Sequence, residues 1–188
     1  MWIESSQNQK VKWLKSLKIK KNRQKEGVFL AEGQRFVSEI PKEADVVLFA
    51  MSASFVKEHS TADFEAKGQV YVFPDPLFAS FCETEHPQGI LAVVRLLQAS
   101  FHQVLEKENG FYLLAEELND PGNLGTIIRT AHACGVDGVF LSKGCVDLYS
   151  PKVLRSTMGS IFHVPVFTEV DLFETMQRLR EKNVTILA

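Results

Sequence analysis

The chain has 188 residues, of which 45% are apolar and 23% are charged, and its formal net charge is −2 at pH 7. It contains no apolar run of the roughly 20 residues that a membrane-spanning helix needs, so an integral membrane protein is not predicted. The five histidines form no metal-binding motif and the cysteines Cys82, Cys134 and Cys145 are far apart, so we expect no metal site and free thiols in a reducing cytoplasm.

Charge is distributed unevenly along the chain. Residues 1–35 carry a net charge of +6, whereas the other residues carry −8. Between Lys10 and Lys25 there are eight basic residues and no acidic one. A polyanion such as RNA would explain this basic block, because each neutralised phosphate releases counterions. A solvent-exposed helix face would explain it as well, since charge runs are common there.

The first 97 residues are predicted to form an α/β unit. Val11, Leu14 and Leu17 recur every three residues, which is typical of an amphipathic helix, and Asn8 or Ser6 is suited to cap its start. Residues 18–27 are interpreted as a basic turn. Strands are then predicted at residues 28–31, 45–50, 69–73 and 89–94, and helices at 35–40, 53–59 and 77–82. Residues 98–109 are the predicted linker, which the absence of Pro and Gly at 96–103 allows to be partly helical.

A second α/β unit is predicted over residues 110–188. Phe111–Ala115 is almost continuously apolar, as expected for a parallel strand that is covered on both faces. Further strands are predicted at residues 139–141, 164–167 and 184–188, and helices at 124–134, 151–160 and 171–182. Ligand sites of parallel α/β sheets lie outside the carboxyl ends of the strands.

The segment from Leu113 to Ser142 holds the most informative pattern. A buried strand leads through the turn at residues 119–122 into a helix, and Asn123 is interpreted as the N-cap of that helix. Gly135 is well placed to end it. Arg129 falls opposite the apolar stripe, where its charge can meet a ligand near the sheet edge. The stripe consists of Leu124, Ile127, Ile128 and Ala131.

From the residues alone, this helix start favours an anionic or polar ligand, because backbone N–H groups point out of it. The dinucleotide motif GxGxxG and the P-loop motif GxxxxGK[ST] are both absent, which argues against those two kinds of nucleotide site. On this reasoning alone, Asn123 remains a helix cap and Arg129 a surface residue.

DPGNLGTIIRTAHACG, residues 120–135, resembles the first signature motif of the SpoU (TrmH) family of RNA ribose 2′-O-methyltransferases, within the SPOUT superfamily. In that motif an Asn precedes an Arg by six residues, as Asn123 precedes Arg129. Residues 150–166 resemble the next characteristic stretch of the family. The first 95 residues resemble its frequent N-terminal substrate-binding domain, which is similar to ribosomal protein L30e. The matching positions are Arg155, Ser156, Gly159, Asn8, Lys12, Leu14, Glu32, Gly33, Pro87, Gln88 and Gly89.

The resemblance implies an α/β fold in two parts. An L30e-like α/β domain at residues 1–97 would be followed, after the linker at 98–109, by an incomplete SPOUT (α/β knot) methyltransferase domain with a parallel sheet at 110–188. The family's second and third motifs form the trefoil knot, most of the S-adenosylmethionine pocket and much of the dimer interface. They would follow Ala188, so the chain is expected to be truncated.

The resemblance also implies roles for particular residues. Arg129 is expected to activate the ribose 2′-hydroxyl, as a base or through a phosphate, and Asn123 to orient Arg129 or the ribose. The methyl donor would be S-adenosylmethionine, and the expected partners are ribosomal RNA and a second copy of the protein. The alternative is a non-catalytic RNA-binding fragment. The residues expected to contact RNA are Lys10, Lys12, Lys20, Lys21, Arg23, Arg155 and Ser156.

Overall fold

Strands alternate with helices in each of two units into which the chain divides after Leu96. The structure is a computed structural model, and it describes residues 1–187. The N-terminal unit comprises residues 1–96 and the C-terminal unit starts at residue 97. No helix within residues 1–187 is both long and apolar enough to cross a membrane.

The N-terminal unit is built on a four-stranded sheet in the order β1-β4-β2-β3, in which only β2 and β3 are parallel. One face of the sheet packs on α1 and α6, with Leu14, Phe73 and Phe81 in the core between them. The strands are β1 (Val28–Glu32), β2 (Val46–Ser52), β3 (Gln69–Phe73) and β4 (Ile90–Arg95). The helices are α1 (Gln9–Ser16), α2 (Lys20–Glu26), α3 (Gln34–Ser38), α4 (Ala53–Glu58), α5 (Ala62–Glu65) and α6 (Asp75–Ala79).

The two helices of the basic block start and end for different reasons. Asn8 caps α1 as predicted, because its side-chain oxygen accepts the N–H of Lys10 at 2.8 Å. The prediction of a turn at residues 18–27 was wrong, since α2 occupies most of that segment. Its residues are mostly good helix formers, and Gly27, with φ of +64°, ends the helix in the left-handed conformation.

The C-terminal unit contains a three-stranded parallel sheet in the order β5-β6-β7, which confirms the predicted parallel sheet. A helix lies within the predicted linker, and its Leu105 packs with Phe140 and Leu179 in this unit's core. The strands are β5 (Tyr112–Ala115), β6 (Gly138–Ser142) and β7 (Val166–Val170). The helices are α7 (Phe101–Leu105), α8 (Pro121–Ala133), α9 (Pro151–Thr157) and α10 (Leu172–Glu181), with a 3₁₀ helix at Ser160–Phe162.

The prediction of a final strand at residues 184–188 was wrong for the part that the structure describes. Residues 184–187 belong to no strand, and Ala188 lies outside the described residues. Asn183 has φ of +60°, and the N–H of Val184 donates to the carbonyl of Leu179 at 3.0 Å. The backbone here therefore closes the end of α10 and does not join a sheet ladder.

Candidate active site and RNA-binding surface

Asp120, and not Asn123, caps α8. The carboxylate of Asp120 accepts the backbone N–H of Asn123 at 2.7 Å, and Pro121 occupies the first helical position. The predicted capping role of Asn123 was therefore wrong, since Asn123 is the third residue of the helix. Its side chain is exposed and makes no hydrogen bond within residues 1–187. The amide group is available to a ligand.

Gly125 sets how closely α8 approaches α9. It is buried, and a Cβ atom at this position would overlap the Cβ of Ser156 and lie 2.8 Å from the carbonyl oxygen of Val153. Only glycine permits this contact, because one of the opposing atoms belongs to the α9 backbone. The close crossing fixes α9, with Arg155, beside α8.

Arg129 is exposed, and its guanidinium forms no hydrogen bond or ion pair with any residue that the structure describes. It is six residues from Asn123, which corresponds to about 9 Å along the helix and about a third of a turn around it. No hydrogen bond joins the two side chains within the described residues. Arg129 also lies about 12 Å along α8 from Pro121, and its contact with a ligand near the sheet edge stays a prediction.

The loops that follow β5 and β6 meet at the carboxyl edge of the sheet and bond to each other. The N–H of Glu117 donates to Ser142 Oγ at 2.9 Å, and the N–H of Leu118 donates to Cys145 Sγ at 3.3 Å. The N–H of Val146 donates to the carbonyl of Leu118 at 2.8 Å. These polar groups therefore satisfy one another and hold the two loops together at this edge.

The two predicted RNA contacts on α9 differ in whether their polar groups are free to bind a ligand. Arg155 is exposed, and its guanidinium has no partner among residues 1–187. Ser156 is half-buried against Gly125, and its hydroxyl donates to the carbonyl of Lys152 at 2.9 Å. Ser156 therefore serves mainly to pack α9 against α8. Neither α8 nor α9 contains a carboxylate, and together they carry three cationic side chains, namely Arg129, Lys152 and Arg155.

The basic block contains both exposed lysines, which a ligand can reach, and a buried arginine. Lys12, Lys20 and Lys21 are exposed and form no ion pair within the described residues. The ammonium of Lys10 lies 5.7 Å from the ring centroid of Trp13 and 5.3 Å from that of Tyr71.

Arg23 is 5% exposed, and its guanidinium donates to the carbonyls of Leu17 at 2.9 Å and Lys18 at 2.8 Å. These bonds tie the end of α1 to α2. Arg23 is therefore a buried structural residue, and the prediction that it contacts RNA was wrong.

Two residues that shape the site were missed by the sequence analysis. Asp120 followed by Pro121 is a good cap followed by a good first helical residue, so the sequence carried that signal. Gly125 lies inside a helical pattern, which indicates close packing but does not identify the partner. Residues 1–187 contain no group of three or more His, Cys, Asp or Glu side chains arranged to hold a metal ion.

Comparison with known proteins matches each of the two units to a known family. Residues 110–188 match the model of the SpoU rRNA Methylase family, and residues 8–92 match that of the MRM3-like substrate binding domain. An uncharacterized tRNA/rRNA methyltransferase of Synechocystis is 32% identical over 99% of this chain and 69% of its own length. The chain belongs to the SpoU family.

Two further similar proteins are rRNA methyltransferases. The 23S rRNA (guanosine(2553)-2'-O)-methyltransferase RlmP of Bacillus subtilis is 40% identical over 87% of this chain. The chain spans 63% of the length of that relative. The crystal structure of an AdoMet-bound rRNA methyltransferase from Sinorhizobium meliloti superposes with a TM-score of 0.81 at 26% identity, covering 96% of this chain and 68% of that one.

Proposed function

We propose that the protein transfers a methyl group from S-adenosylmethionine to a ribose 2′-hydroxyl of ribosomal RNA. The observation that carries this proposal is the exposed, unpaired guanidinium of Arg129 in the family's first motif, on one of two packed helices whose own residues include three cations and no carboxylate. The Bacillus subtilis relative is a 23S rRNA 2'-O-methyltransferase, which supports the choice of the ribose as the target and of ribosomal RNA as the substrate.

Arg129 suits a phosphate clamp better than a general base. A guanidinium keeps its proton in proteins and offers a planar set of N–H donors that matches a phosphate. When bound, S-adenosylmethionine supplies an electrophilic methyl group. Arg129 would hold the phosphate next to the attacking ribose, so that the 2′-hydroxyl is oriented and can pass its proton to that phosphate or to water. Asn123, about one and two-thirds turns earlier, would contact the ribose or its neighbour.

Association of two copies is part of the proposal. Arg129 lies about 12 Å along α8 from Pro121, where the helix begins after the loop that follows β5, and ligands of parallel sheets bind at the carboxyl ends of the strands. A second copy could bring its own sheet edge to this guanidinium. Sedimentation of the complete protein would test this, since a monomer at assay concentration would contradict it.

A weak donor site is expected in the isolated 188-residue chain. The described loops after β5 and β6 direct backbone N–H groups at each other and not at a ligand, and small ligands need polar groups that converge from several sides. We expect S-adenosylhomocysteine to bind with a Kd weaker than about 1 mM in isothermal titration. A low-micromolar Kd would show that residues 1–188 form a complete pocket, placed or built differently.

The basic block is proposed to bind RNA through Lys10, Lys12, Lys20 and Lys21. Replacing both Lys20 and Lys21 with Glu removes two exposed cations, so the dependence of log K on log salt concentration should flatten by about 0.7–0.9 for each lost contact. RNA affinity at low salt should fall about tenfold. Lys42→Glu with Lys67→Glu is the matched control, because both lysines are exposed in the same unit. Equal losses in the two double variants would indicate a general charge effect.

Methyl transfer itself is the test of the proposed function. The complete protein is incubated with protein-free ribosomal RNA and S-adenosylmethionine labelled in the methyl group, and the RNA is digested to nucleosides. We expect the label in a 2′-O-methylated nucleoside. Label in a base-methylated nucleoside would contradict the proposal.

A further inference from the structure

We infer that His132 and His163 form a stacking platform for an RNA base close to the ribose whose neighbouring phosphate Arg129 holds. The inference rests on the proposed function and extends it to a second contact for the substrate. The two imidazole rings are stacked, with centroids 4.7 Å apart and an angle of 14° between their planes. Both residues are exposed, so burial in the protein core does not explain the pair.

Ser160 holds both histidines of the platform in place. His132 Nδ1 lies 3.2 Å from Ser160 Oγ, and Ser160 is buried. Ser160 begins a 3₁₀ helix that follows Gly159, whose φ of +88° turns the chain into it. The N–H of His163 donates to the carbonyl of Ser160 at 3.0 Å. One serine therefore fixes one ring through its hydroxyl and the other residue through its backbone, which lowers the entropy lost on binding.

The platform lies within one helical turn of the proposed reaction site. His132 follows Arg129 by three residues on α8, and residues at this spacing are neighbours on a helix surface, with Cβ atoms about 5–6 Å apart. A phosphate held by Arg129 would place an adjacent nucleotide over this turn.

The geometry favours a base over a phosphate as the occupant. Parallel imidazole rings present flat π-faces, and unpaired RNA bases stack on such faces. One nitrogen of His132 is already bonded to Ser160, which leaves less capacity for phosphate oxygens. The two rings come from separate segments, α8 and the turn before β7. Because they are stacked, each ring covers one face of the other and leaves its outer face for a base.

Two substitutions distinguish stacking on the ring of His163 from hydrogen bonding by its nitrogens. His163→Phe keeps a flat aromatic ring, whereas His163→Asn keeps a polar side chain and removes the ring. His86→Asn is the matched control, because His86 is also exposed but lies in the N-terminal unit. The 188-residue chain is titrated with an unstructured RNA of about 16 nucleotides that contains 2-aminopurine, whose fluorescence falls when it stacks.

We expect His163→Asn to weaken binding about tenfold and to lose part of the fluorescence change, while His163→Phe and His86→Asn stay within about twofold of wild type. Equal losses in the Phe and Asn variants would overturn the platform in favour of a polar phosphate contact. A wild-type Kd in His163→Asn would also overturn it, as would a change of sedimentation in that variant, which would assign the pair to a contact between copies. Absence of RNA binding by the wild-type chain would overturn the proposed function itself.

Discussion

Replacement of Arg129 with alanine is expected to lower kcat of the complete protein by at least about a hundredfold. The reason is that the substitution removes the guanidinium that holds the phosphate beside the attacking hydroxyl. RNA affinity should stay within a few-fold of wild type, because other cations on α9 and in the basic block remain. Methyl transfer at saturating RNA, together with RNA binding, measures the two effects separately.

Two companion variants sharpen this expectation. Arg129→Lys should not restore turnover, since an ammonium cannot reproduce the planar fork of a guanidinium. Asn123→Ala should lower turnover less and leave the free energy of unfolding nearly unchanged, because Asp120 provides the cap. Asp120→Ala should instead destabilise the protein by about 1 kcal/mol. Wild-type turnover in Arg129→Ala would remove this residue from the mechanism.

Replacement of Gly125 with alanine is expected to destabilise the C-terminal unit by about 3 kcal/mol. The new Cβ would overlap Ser156 and approach the carbonyl of Val153 to 2.8 Å, so α9 would have to move away from α8. The higher helix propensity of alanine, worth about 1 kcal/mol, offsets only part of this. Urea unfolding followed by circular dichroism measures the change.

Thr126→Ala is the matched control for Gly125→Ala. Thr126 is the next residue on α8 and is exposed, so the same alanine there should change stability by less than about 0.5 kcal/mol. If both variants are as stable as wild type, α9 can shift without penalty, and the close crossing would not position Arg155.

The parts of the fold that follow from apolar periodicity were predictable from the sequence. The stripe of Val11, Leu14 and Leu17 gave α1, and the apolar runs gave both sheets. The helix α2 was missed because it has no apolar stripe. Its buried member is Arg23, whose guanidinium satisfies carbonyls at the end of α1, and residue patterns do not reveal such a contact.

At the site, residue types were predictable but their geometry was not. Asp120 and Asn123 are equally good caps by residue type, and the proline between them decides in favour of Asp120. The exposure of Arg129 followed from the helical pattern, whereas its distance from the sheet edge depends on where α8 begins. The pairing of His132 with His163 depends on the turn at Gly159 and could not be read from a separation of 31 residues.

Resistance of the labelled RNA to alkali shows directly whether the ribose 2′-hydroxyl carries the methyl group. Alkaline cleavage of RNA needs a free 2′-hydroxyl, so a methylated ribose leaves the following phosphodiester bond intact. Ribosomal RNA labelled by the complete protein should retain the methyl label in alkali-resistant dinucleotides, and RNA treated with the Arg129→Ala variant should not. Label released entirely in mononucleotides after alkali would contradict 2′-O-methylation by this protein.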